Sequence, residues 1–359
     1  MRASLPPVPS AGVVGRGAGI ERLVHRLPTV TPRSVRHLCV LSLVSVGAIV
    51  LTGAAVRLSG SGLGCSDWPT CSKGHLTPPL HFHSLMEFGN RMVTVVLVVV
   101  IGVTFLAVLR RSPFRRDLAW LAGALVAGVL AEAVIGGLVV YSKLNPYLVM
   151  VHFLATLALV VVAAVLLHRS SRDYSPGSGR LIVPRPILIL SRAMCCLLAV
   201  VLSAGAATTG AAPDGGGSQG QIVAKRIPVP LRDMAELHSS LALLLVGVAI
   251  SLAVALHAIG VPERVRKAAR MLVVTLMLQA VVGYAQYFTH LPAVLVELHE
   301  LGATVLVIGA SQFLLALSDH APERVSPRLR AVPGSLTPAL PAHRRARRLA
   351  PAEDAGRTS

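Results

Sequence analysis

A chain of 359 residues that is 53% hydrophobic and only 14% charged falls well short of the roughly one-quarter charged residues typical of a soluble domain. Its net charge of +18 would point to nucleic acid in a soluble protein. Here Lys and Arg gather in the tails and in alternate connecting segments, so membrane topology accounts for the charge and a nucleic-acid partner is excluded.

Residues 1–37 are basic and rich in Pro and Gly, with no compact apolar core before a cleavage site. They read as a cytoplasmic tail and not as a signal peptide. Eight apolar runs follow, at 38–56, 87–109, 117–140, 147–168, 187–208, 235–257, 269–288 and 293–316, each long enough to cross a bilayer. The segments on one side of these spans carry Arg33 and Arg36, Arg110, Arg111, Arg115 and Arg116, Arg169, Arg172, Arg180 and Arg185, Arg264, Arg266 and Lys267. The first, third, fifth and seventh loops are poorer in basic residues. This asymmetry predicts a multi-pass protein of the cell membrane with both termini cytoplasmic and the odd loops outside. Residues 318–359 are rich in Pro, Ala and Arg and are expected to form a disordered basic cytoplasmic tail resting on anionic lipid.

An internal repeat bears on the architecture. Residues 132–152, EAVIGGLVVYSKLNPYLVMVH, align without gaps to 279–299, QAVVGYAQYFTHLPAVLVELH. Ala133 meets Ala280, Gly136 meets Gly283, Leu144 meets Leu291 and His152 meets His299, while Pro146 and Pro292 fall one position apart. The expected fold is an all-α integral membrane protein whose eight transmembrane helices form two pseudo-symmetric four-helix bundles, 38–168 and 187–317, joined by a cytoplasmic linker at 169–186.

Spans two, four, six and eight run in the same direction and each carries a polar group near its outer end: Glu87 with Asn90, His152, His238 and His299. Ionisable groups at the margin of a span are costly, so the default reading is a site, and an interfacial anchor that snorkels to water is the alternative. His168, His257 and His320 lie near the opposite ends, ~24–31 Å away at 1.5 Å per residue, and belong to the interface. Two imidazoles from facing helices in an apolar bundle suit a heme iron; a structural zinc would need more ligands than this level offers. Arg57 and Arg91 lie near the outer face, where heme propionates would need cations. Cys65 and Cys71 share the first outside loop with five residues between them. An oxidising side permits a disulfide there, and a free redox-active pair is the alternative. Cys39, Cys195 and Cys196 lie within spans as small packing residues. His83, four residues before Glu87, is either a further imidazole on that face or a loop residue.

The stretch T52-G53-x-x-V56-R57-L58-S59-G60-S61-G62-L63-G64-C65, D67-W68-P69 and C71, with E87-F-G-N90-R91, His152, L237-H238 and L298-H299, resembles the heme A synthase family over roughly residues 38–317. The resemblance implies an enzyme that oxidises a methyl group of heme o to the formyl group of heme a for cytochrome oxidase. It implies a resident heme b held by His238 and His299 as axial ligands, a substrate-heme site in the N-terminal half with His152 and Asn90, Glu87 as the catalytic carboxylate, and a Cys65–Cys71 pair. It also implies heme o as substrate, heme o synthase and cytochrome oxidase assembly proteins as partners, and a setting in membrane lipid. Asn90 stands where many members have His, and the fifth loop lacks the second cysteine pair of many bacterial members. Two other functions fit the same residues: a di-heme cytochrome moving electrons between quinol and a partner, and a transporter built from repeats with a proton relay.

Overall fold

Eight long helices follow one another in the computed structural model, which describes residues 29–72, 74–171, 179–212, 218–219 and 222–319. The helices are α1 (Pro32–Leu58), α2 (Phe82–Leu109), α3 (Arg116–Tyr141), α4 (Pro146–Arg169), α5 (Arg185–Ala211), α6 (Leu231–Ala258), α7 (Glu263–Phe288) and α8 (Ala293–Ala316). Each is long and apolar enough to span a membrane, so the all-α, eight-span expectation holds. The helices extend beyond the apolar runs, because helix continues through the polar residues at their ends. The tail before residue 29, most of the tail after residue 317, His320, Arg172 and part of the fifth loop lie outside the described residues.

Local sequence explains most helix starts. Thr31 accepts the backbone N–H of Ser34 ahead of Pro32, and Asn145 accepts that of Tyr147 ahead of Pro146. A side-chain acceptor followed by Pro satisfies orphan amides and presets φ. Pro184, Pro230, Pro262 and Pro292 occupy the N-cap positions of α5 to α8. The loops that enter α4 and α8 share an unusual backbone: Lys143 and Leu144, and likewise His290 and Leu291, have φ between 53° and 64°. Consecutive left-handed non-glycine residues cost energy and persist only where the surroundings hold them. Leu144 N–H is tied to Val139 O and Leu291 N–H to Gln286 O. The two pairs fall at equivalent positions of the sequence repeat.

α1 to α4 pack as a ring, with α1 against α2, α2 against α3, α3 against α4 and α4 against α1; α5 to α8 close in the same manner, with a slighter α5–α8 contact. α4 and α8 pack against each other, α8 also meets α1, and α4 meets α5. Among the described residues, helices diagonal across either ring are not neighbours, so a gap runs between α2 and α4 and another between α6 and α8. One buried cluster holds Val46, Leu97, Leu125, Val160 and Val307, and a second holds Met194, Leu252, Leu272, Leu306 and Phe313. α8 therefore contributes to both. The outward faces stay apolar: Val44, Val99, Leu130, Ile189, Val254 and Leu278 are all more than half exposed. Water would not tolerate so continuous an apolar belt, and lipid does.

Since lipid is as apolar as the core, helix association rests on close packing and polar contacts. The Leu159 side chain fills the space over Gly128, where a Cβ would come within 2.3 Å of it. Ser42 and Thr104 share a buried hydrogen bond of 2.9 Å between α1 and α2, of a kind that contributes roughly 0.6–2 kcal/mol. At the end carrying the even loops, Arg115 pairs with Asp117 and donates to Arg169 O, tying the start of α3 to the end of α4. Small two-residue pairings complete the described structure: Arg180–Leu181 with Ser318–Asp319, and Ser218–Gln219 with Ile222–Val223.

Candidate functional site

Asn90, His152, His238 and His299 all lie within the first three turns of α2, α4, α6 and α8. Each ring of helices thus carries its polar residues at one end, the end of the odd loops.

On α6 and α8 the two imidazoles meet across the diagonal gap. The ring centroids of His238 and His299 are 6.3 Å apart and the planes stand at 84°. Backbone oxygen of Val201 lies 3.0 Å from His238 Nδ1, so Nε2 is the nitrogen left to face the gap. His299 Nδ1 is buried without a hydrogen-bond partner. Each ring lies over a glycine of the preceding helix. A Cβ at Gly205 would come 2.9 Å from His238 Cε1, and one at Gly283 would come 3.2 Å from His299 Cε1. The helix backbone is bare at those positions because an imidazole occupies the space.

On α4, His152 lies over Gly136, where a Cβ would be 3.5 Å from its Cε1. Its Nδ1 is 2.5 Å from Glu132 Oε2 of α3. Asn90 on α2 accepts a hydrogen bond of 2.6 Å from Thr52 Oγ1 of α1. Beside Thr52, Gly53 has open space where the other three glycines meet a ring. The amide at position 90 is thus turned to α1.

Glu87 is buried, and both of its oxygens are occupied. Oε2 accepts the backbone N–H of Cys65 at 2.7 Å and Oε1 accepts from Arg91 Nη2 at 2.6 Å. Arg91 Nη1 also donates to Asp67 O and Thr70 O. Glu87 and Arg91 together therefore hold the 64–71 loop against the start of α2. That loop is closed by a Cys65–Cys71 disulfide, which decides between the bonded and the free pair. Ser84 Oγ donates to Gly64 O at 2.7 Å, and a Cβ at Gly64 would sit 2.2 Å from His83 O, an approach that only glycine permits. Trp68 lies over Gly137, and Tyr141 donates to Trp68 O, carrying the loop onto α3. His83 falls in the first turn of α2 and its Nδ1 is 3.0 Å from Ser61 Oγ. Arg57 on α1 is ion-paired with Glu300, the residue after His299 on α8. This joins the two rings at the level of the site.

The histidines, Glu87 and the two arginines stood out in the sequence, and their partners in the structure did not. Glu132 and Gln279, whose Nε2 donates to His299 O at 3.0 Å, each stand in an apolar run, and Glu300 directly follows His299. For Glu132 and Gln279 a signal existed, since they head the two copies of the repeat one helical turn before the matched glycines.

The chain matches the family of cytochrome oxidase assembly proteins over residues 36–85 and 79–310. It is similar to the heme A synthase of Geobacillus thermodenitrificans, with 32% identity over 142 residues, which is 37% of this chain and 43% of that protein. It is 34% identical to the Geobacillus kaustophilus heme A synthase over 108 residues, 29% of this chain and 32% of that protein. The alignment with the Staphylococcus carnosus heme A synthase is longer, 24% identical over 292 residues, covering 79% of this chain and 94% of that protein. The chain thus spans less than half the length of the two Geobacillus relatives and nearly all of the third. A family match that runs through all eight helices and every residue of the site establishes that this chain belongs to the cytochrome oxidase assembly protein family.

Proposed function

We propose that the chain carries out the heme A synthase reaction, oxidising a methyl group of heme o to the formyl group of heme a for cytochrome oxidase. The observation that carries this reading is the His238–His299 pair. Two metal–nitrogen bonds of ~2 Å and half a ring on each side come to about the 6.3 Å between the ring centroids. With His238 Nδ1 held by Val201 and glycines under both rings, the residues fit a six-coordinate heme. We assign a resident heme b to this pair, in the C-terminal four helices 187–317. Arg57, one helix away beside Glu300, is our candidate for a propionate contact there.

The N-terminal four helices, 38–168, fit a substrate heme held more loosely. His152 offers one imidazole, and Asn90, an amide turned to Thr52, offers no second one. A heme supplies electron-transfer chemistry when bound; the chain supplies the rest. His152 positions the substrate, and the space beside Gly53 leaves the far face open. Glu87, linked through Cys65 and Arg91 to the disulfide-closed loop, is our candidate for the carboxylate that takes up a proton or steadies positive charge at the reacting methyl. Arg91 shares that carboxylate and fixes its direction, so we assign it to the loop and Glu87 before any propionate. We place both termini in the cytoplasm, from the arginines of the even loops.

The test is product analysis. Purified protein supplied with heme o and an electron acceptor, followed by heme extraction and chromatography, should yield the formyl heme, and Glu87→Gln should retain bound heme b but lose that product. Heme o recovered unchanged from wild type, with heme present and redox-active, would leave an electron-carrying cytochrome instead.

A further inference from the structure

Among the described residues, His152 is the only one of the three site histidines whose ring pairs with a carboxylate. Glu132, mostly buried on α3, places Oε2 2.5 Å from Nδ1 of the partly exposed His152, within ion-pair distance though not aligned as a hydrogen bond. Thr156, one turn after His152, donates to the same oxygen at 3.3 Å and to His152 O at 2.9 Å. Glu132 has no other ionic partner among the described residues, and its Oε1 is buried with no hydrogen-bond partner. A carboxylate placed like this is expensive to bury, so neutral residues would be the cheaper choice unless the charge acts on the ring.

The other ring of helices supplies the comparison within one molecule. Gln279 on α7 stands at the position of Glu132, four residues before Gly283 as Glu132 stands four before Gly136. The amide of Gln279 reaches the backbone oxygen of His299, and among the described residues no carboxylate pairs with the His299 ring as Glu132 does with that of His152. His238 faces a neutral carbonyl. The fold therefore accepts an uncharged residue at this place, and the N-terminal copy alone carries a carboxylate aimed at the imidazole.

We propose that Glu132 is a positioning residue for the substrate heme: its carboxylate fixes Nδ1 of His152, presents Nε2 to the iron, and makes His152 a stronger donor than either histidine of the resident pair. The proposal rests on the assignment of His152 to the substrate heme. Outer-shell carboxylates orient a ligating imidazole and raise its basicity, and their loss typically weakens metal binding ~10–100-fold. With one imidazole available in place of two, a backing carboxylate offsets part of the missing ligand strength. It leaves the other face of the heme free.

Resonance Raman of the ferrous full-length protein loaded with heme o tests this, because a five-coordinate heme shows an iron–histidine stretch and a six-coordinate resident heme does not contribute one. In wild type this stretch should lie at higher wavenumber than in a heme o complex of neutral imidazole. Glu132→Gln should move it down to the neutral value and weaken heme o binding ~10–100-fold, Glu132→Asp should restore part of both, and the low-spin spectrum of the resident heme should not change. A wild-type stretch at the neutral-imidazole value would overturn the proposal without any variant. So would Glu132→Gln with an unaltered stretch and affinity. His152→Ala separates the two layers of the argument. Loss of the stretch in His152→Ala, with its position unchanged in Glu132→Gln, removes only the role of Glu132. Retention of the stretch in His152→Ala removes the site assignment itself.

Discussion

On α6 and α8 two imidazoles face each other at 6.3 Å, each over a glycine, one with a backbone carbonyl at its Nδ1 and the other with none. On α2 and α4 the same level of the bundle holds one imidazole, an amide bonded to Thr52, a carboxylate against the imidazole and open space beside Gly53. A cofactor that must stay is best held by two strong ligands buried in a dry gap. A substrate that must enter and leave is better served by one ligand whose strength is set from behind. On the proposed reading, four or five side chains separate a holding site from a turnover site.

The strongest way to break the comparison is to remove a ligand of the holding site. His238→Ala or His299→Ala should abolish the low-spin heme spectrum, since one imidazole cannot keep iron six-coordinate, while His152→Ala should leave it intact. Absorption spectra of the three purified variants decide this, and an unchanged low-spin spectrum in both His238→Ala and His299→Ala would remove the resident-heme assignment.

Asn90→His attempts to turn one site into the other. The new imidazole has room beside Gly53, and it should convert bound heme o from five- to six-coordinate, slow product formation and raise heme o affinity. Electron paramagnetic resonance of the loaded variant should show a high-spin signal replaced by a low-spin one; a persistent high-spin signal would mean that position 90 does not reach the iron.

The glycines offer a smaller and sharper contrast. Gly205→Ala puts a methyl 2.9 Å from a ring that Val201 holds in place, so it should reduce heme b occupancy. Gly53→Ala meets nothing within 4 Å and should leave heme content unchanged while favouring the helix by roughly 0.5–1 kcal/mol. Heme-to-protein ratios and thermal melts of both variants measure the difference, and equal loss in both would show that packing against the rings is not what the glycines provide.

The smallest effect belongs to the outer loop. Cys65→Ser removes a closure worth about 2 kcal/mol by loop entropy, while Glu87 and Arg91 still hold the loop through the Cys65 amide and two carbonyls. A modest fall in melting temperature with heme b retained is expected, and loss of heme b would make the loop part of the holding site.

The spans were legible because length and apolarity dominate membrane helices, and the repeat was legible because His152 and His299 recur with Gly136 and Gly283. The polar partners were not. Glu132 stands alone in an apolar run, Glu300 is overshadowed by the adjacent His299, and only the crossing of α3 on α4 and of α8 on α1 brings them to His152 and Arg57. Glu87 drew attention as an ionisable group at a span margin, but its bond to the Cys65 amide depends on how the disulfide loop folds back over α2. The side on which Asn90 lies is likewise set by Thr52, which no spacing rule connects to it.

Two unlike heme sites in one chain are the central proposal. Electron paramagnetic resonance of the wild-type protein carrying heme b and loaded with one equivalent of heme o reads both at once. The predicted result is one low-spin signal that disappears in His238→Ala and a separate high-spin signal that disappears in His152→Ala. A single class of heme, or two signals lost together in either variant, would contradict it.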